Sequence, residues 1–153
     1  MYSFVTPSKY WSLNILVSGL FATAVSTVFS VIIAALIHQP LGFFQGLNLP
    51  PFFIISSIIF APLFESLIVV LLYYVTKIFT SKHQLVFIVT GTVLGWALHY
   101  QYGWLSLPHM LFFGISAFQF WYWRQLNNNW IAYAGIVLTH AMINTLAVSL
   151  YVL

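Results

Sequence analysis

The chain has no cysteine, and a single glutamate is its only acidic residue. The missing thiols exclude a disulfide framework and a cysteine nucleophile, and they leave the redox compartment unread. Basic residues are almost as scarce. Lys9, Lys77, Lys82 and Arg124 are scattered, so a net charge of +3 makes no patch for a phosphate backbone, and nucleic acid is not an expected partner. Their placement reads instead as a record of topology. Charged residues are 3% and hydrophobic residues 62% of 153. No soluble fold of this length hides that much apolar surface. The expected class is all-α: a polytopic transmembrane helix bundle, one domain, surrounded by membrane lipid.

Five apolar spans are expected, at about 11–37, 52–76, 84–102, 105–123 and 130–152. The first run is too long for the apolar region of a cleavable signal and reads as a span, with small residues such as Ser18, Gly19, Ala22 and Ser26 allowing close helix packing. Pro40, Gly42, Gly46 and Pro50-Pro51 break the chain into a loop after His38. Aromatic belts close the third and fourth spans (Trp96, Tyr100, Tyr102 and Trp104; then Trp121, Tyr122 and Trp123). Five crossings put Lys9, the Lys77–Lys82 loop and Arg124 on one side. The positive-inside rule makes that side cytoplasmic, with the amino terminus inside, in the cell membrane.

The acid is Glu65, within the stretch Pro51–Thr76. It lies about 11–14 residues from either end, or ~16–21 Å at helical rise, close to the middle of a bilayer. A carboxylate there costs several kcal/mol unless it faces a wet cavity, takes a proton or finds a partner. Pro62, one turn earlier, removes a backbone donor, frees the carbonyl of Ile58 and is expected to bend the helix. His99 lies near the end of the third span, and His140 and Asn144 lie one turn apart on a face of the fifth. One at a time, an imidazole or an amide in a membrane helix is packing or interhelical glue. Together, one acid, two imidazoles and an amide on three spans suit a shared polar pocket. The chemistry suits hydrolysis: Glu65 takes a proton from water, an imidazole shares that water, and a second imidazole with an amide meets an oxyanion. A variant places zinc on Glu65, His99 and His140, since two histidines and a glutamate form an open catalytic set. His109, after Pro108, is expected at the membrane interface.

In order and spacing these residues resemble the CPBP family, the CAAX prenyl endopeptidase and bacteriocin-processing (ABI) membrane proteins. The family's His-x-x-x-Asn motif is intact as His140-Ala141-Met142-Ile143-Asn144. Its aromatic-x-x-x-His motif is matched at His99, with Gly95 in the aromatic position and Trp96 beside it to fill the space. Its Glu-Glu-x-x-x-Arg motif is matched at Glu65 only; Ser66 and Val70 stand where the second Glu and the Arg are expected. Those two charges hold one another in the family, so losing both leaves neither unpaired. The resemblance covers about 51–153. It implies that Glu65 and His99 activate water while His140 and Asn144 stabilise the oxyanion. Other membrane proteases fit less well. There is no His-Glu-x-x-His and no aspartate for an aspartyl dyad. Gly114-Ile115-Ser116-Ala117 lacks the last glycine of a rhomboid-type serine motif, so Ser116 reads as a packing residue.

The expected function is therefore intramembrane endopeptidase: hydrolysis of a peptide bond in a membrane-associated protein or peptide. One rival is a non-catalytic relative, a membrane scaffold or bacteriocin-immunity protein. The other is a proton-coupled transporter subunit, with Glu65 and the histidines as a relay.

Overall fold

The computed structural model describes residues 11–38, 50–126 and 129–152. It is an all-α bundle, with no strand among the described residues. Five helices carry it: α1 (Trp11–Leu36), α2 (Pro51–Phe79), α3 (His83–Leu98), α4 (Leu107–Leu126) and α5 (Asn129–Val152). Of these, α1, α2 and α5 are long and apolar enough to cross a membrane. Lys9 and most of the expected loop after His38 lie outside the described residues.

The helix ends follow local chemistry. Pro51 opens α2, where no N–H partner is needed, after Pro50 in an extended conformation. Thr80, at φ −151° and ψ 142°, ends it. The third helix stops short of the expected 102. His99 leaves the helix at φ −114° and ψ 10°, and Tyr100–Ser106 winds as 3₁₀ turns broken at Gly103, whose φ of 58° suits glycine. Ser106 Oγ donates to the Gly103 carbonyl across that break at 2.6 Å. The 16 residues of α3 therefore rise only ~24 Å.

Helix α4 is the centre of the bundle and packs on the other four. It gives Phe112, Phe113, Ala117, Phe120 and Trp123 to the core, met by Ile15, Val69, Tyr73, Phe87 and Ile136 from the other helices. The α3–α4 contact is close because α3 presents glycines. A Cβ on Gly95 would lie 2.5 Å from Phe113 Cβ and 2.7 Å from the His109 carbonyl oxygen. Outward faces are apolar: Phe64 is 64% and Phe79 81% exposed. Such surfaces are liabilities in water and ordinary against lipid.

At one end of the bundle Arg124 ties α4 to α2. Its Nη1 donates to Tyr73 Oη at 2.9 Å, and the guanidinium lies 4.7 Å from the Tyr73 ring centroid. Tyr73 also meets the His83 ring edge-on at 5.9 Å, so Arg124 and the start of α3 share that end with Lys77 and Lys82.

Candidate functional site

Glu65 lies midway along α2, fourteen residues from both Pro51 and Phe79. The backbone before it is not α-helical: Ser56–Phe60 forms a π turn, and the Ala61 N–H bonds the Ser56 carbonyl, five residues back. In that register position 62 would serve the Ser57 carbonyl, and position 62 is proline. The proline gap therefore falls on Ser57 instead of the expected Ile58. Asn144 Nδ2 fills it, donating to the Ser57 oxygen at 2.7 Å. Tyr133 Oη, also from α5, donates to the Leu63 carbonyl at 3.1 Å. These two cross-ties clamp α5 to the irregular part of α2 around Glu65. Such π turns are often found at functional sites.

The clamp brings Glu65 Oε2 to 3.7 Å from His140 Nε2, with side chains 24% and 9% exposed respectively. Glu65 Oε2 is buried and makes no hydrogen bond among the described residues. A gap of this length is too long for a direct hydrogen bond and too short to hold a water between the atoms, so a water that bonds both sits to one side of the pair. Phe112 and Phe113 wall the imidazole, with ring centroids 4.7 and 6.3 Å from it.

His99 sits on the other contact of Phe113, at 5.8 Å between centroids. Its Nδ1 lies 3.0 Å from the Gly95 carbonyl oxygen, which can only accept. In the neutral ring the proton is therefore on Nδ1 and the lone pair on Nε2. The ring stacks on His109, 3.9 Å away and within 14° of parallel. His109 is half-buried in the first turn of α4 and takes His99 as its partner, a contact the sequence did not suggest. Both imidazoles lie within electrostatic range of His140. The four expected residues thus divide: Glu65 pairs with His140, Asn144 holds backbone, and His99 stands with His109.

Among the described residues, no group of three His, Asp or Glu side chains stands together as a set of metal ligands.

The departures from the family motifs have packing reasons. Gly95 faces Phe113 too closely for any side chain, so an aromatic there has no room. The ring beside His99 comes from α4 as Phe113. Trp96 points outward, 39% exposed, with its ring on Tyr100. Ser66 is buried, and Val70 packs on the core, so neither position offers a charge its solvent. Sequence reasoning missed His109, Tyr133 and Ser57. His109 had one signal: it lies four residues before Phe113 and shares its helix face. The other two act through backbone carbonyls and had none.

No protein-family model, curated protein or solved structure matches this chain.

Proposed function

We propose that the chain is a multi-pass membrane peptidase that hydrolyses a peptide bond of a membrane-associated protein or peptide, with water activated by Glu65 and His140. The observation that carries this reading is the 3.7 Å approach of Glu65 Oε2 to His140 Nε2, on α2 and α5. A carboxylate with an unused lone pair, beside an imidazole close enough for one water to bond both, is a general-base arrangement. His99, whose ring proton is spent on the Gly95 carbonyl, has none to offer an oxyanion, so that donor falls to its stacking partner His109. The resemblance to the CPBP proteases supports the same reaction class through the order of Glu65, His99, His140 and Asn144 along the chain. It implies a different division, with His99 as the partner of Glu65; the geometry favours His140. Lys77, Lys82 and Arg124 at one end of the bundle support a cytoplasmic assignment for that end, in the cell membrane.

Cleavage of a membrane-tethered reporter in proteoliposomes tests the proposal. Glu65→Gln keeps the shape and removes the base, so turnover falls by at least ~100-fold. A double Glu65→Gln, His140→Ala variant is little worse than either single, because groups acting as a unit are not additive. Cleavage unchanged in Glu65→Gln refutes the hydrolytic reading.

One observation favours a second reading, a non-catalytic membrane scaffold: the Asn144 amide is used on the Ser57 carbonyl, a structural task. On that reading the wild-type protein cleaves nothing, and Asn144→Ala changes stability alone.

A further inference from the structure

Hydroxyls in these helices mostly satisfy themselves. Thr23, Thr92 and Thr145 each bond the carbonyl four residues back. Ser26 Oγ, Ser116 Oγ and Thr139 Oγ1 do not; all three are buried without a hydrogen-bond partner among the described residues, as is Gln119 Oε1. Ser116, Thr139 and Gln119 are 4%, 0% and 6% exposed.

Helical phase puts the three in one junction. Phe112, Ser116, Gln119 and Trp123 follow at spacings of four, three and four, a single stripe along α4. Both ends of that stripe face α5. Phe112 meets the ring of His140, and a Cβ on Gly135 would touch Trp123 at 3.8 Å. Ser116 and Gln119, between them, therefore face α5 as well. On α5, Thr139 lies one turn beyond Gly135, inside the same bracket. The third wall is α1: a Cβ on Gly135 would also meet Ile15 at 3.5 Å, and one on Gly19 would come 3.2 Å from Thr139 Oγ1. The polar atoms therefore share one slab between α1, α4 and α5, next to His140.

We infer that this junction is an internal water-binding site, with water held by Thr139 Oγ1, Ser116 Oγ and Gln119 Oε1. The chemistry is complementary. The amide oxygen needs a donor, each hydroxyl needs an acceptor or a donor, and water supplies both. Buried water usually sits where several otherwise unsatisfied polar groups converge. A dry junction would leave all three desolvated at a cost that helix packing in lipid has no hydrophobic term to offset. Gly19 contributes by keeping α1 clear of Thr139 Oγ1. The site places water against the helix that carries His140, and it stands whether or not Glu65 and His140 hydrolyse anything.

Water-edited solid-state NMR on the wild-type protein in lipid bilayers decides it, because no activity is needed. Magnetisation from water should reach the side chains of Thr139 and Ser116 as readily as it reaches exposed Lys82, and should not reach lipid-facing Leu138. Absent transfer to Thr139 and Ser116 overturns the inference. In Thr139→Val, which keeps the shape and removes the hydroxyl, transfer at Ser116 should drop and Tm should fall by ~2–4 °C. Undiminished transfer at Ser116, or a rise in Tm, means no water is shared between them and overturns it too.

Discussion

Asn144 holds the broken backbone of α2, while the family resemblance would give it a substrate oxyanion, and one pair of substitutions separates these roles. Its Nδ2 satisfies the Ser57 carbonyl, which Pro62 cannot reach. Asn144→Ala should therefore cost about 1–3 kcal/mol of stability, the penalty of a buried unsatisfied carbonyl. Pro62→Ala restores an N–H at that register, so in its background Asn144→Ala should cost clearly less. Thermal melts of the four proteins in detergent measure the coupling. Additive costs would mean that the amide does not stand in for the proline's missing donor. If Asn144→Ala also lowers cleavage by ~100- to 1,000-fold in the Pro62→Ala background, the residue acts on the reaction as well. The sequence made Glu65, His140 and Asn144 legible as site candidates because ionisable and amide groups stand out in an apolar span. It could not show which partner each takes. Ser57 has no side-chain signature for its role, since its carbonyl is what matters. The π register that moves the proline gap from Ile58 to Ser57 has no side-chain signature in the sequence.

At the scale of the elements, spans were read easily because runs of apolar residues end at prolines, glycines and basic loops. Their inner faces were not, because in these helices apolar residues occur all round. Glycines mark the α3–α4 face instead. Gly95→Ala should destabilise the protein by about 1–3 kcal/mol, although alanine is the better helix former by ~1 kcal/mol. The added Cβ meets Phe113 Cβ and the His109 carbonyl, neither of which is a mobile chain end. For the same reason Phe113→Ala, which keeps its Cβ, should not rescue it. Recovery of Tm in that double variant would show that α3 and α4 can slide apart. At the other contact, Tyr73→Phe removes the hydrogen bond from Arg124 and leaves the ring under the guanidinium. A loss of about 0.5–1.5 kcal/mol is expected, read as a lower Tm with unchanged helicity.

The whole molecule is set by the side on which its few charges lie. In the bundle, Arg124 reaches Tyr73 at the carboxyl end of α2, and Tyr73 meets His83 at the start of α3. The link between α3 and α4, with Tyr100 exposed, lies at the far end of α3 from His83. If α2, α3 and α4 cross the bilayer in turn, Lys82 and Tyr100 face opposite compartments, with Lys82 inside. The weak point is α3, whose 16 residues fall short of a bilayer core by ~6 Å, so the 3₁₀ segment after it must complete the crossing or the membrane must thin there. Single-cysteine variants Lys82→Cys and Tyr100→Cys suit the test because the chain has no cysteine of its own. In intact cells an impermeant maleimide should label the Tyr100→Cys protein and spare Lys82→Cys until the membrane is opened. Labelling of both from outside would mean that α3 does not cross, and Glu65 would then no longer sit at the middle of a spanning bundle. Labelling of Lys82→Cys alone would keep the crossings and invert the protein, turning the Arg124 end outward against its charge.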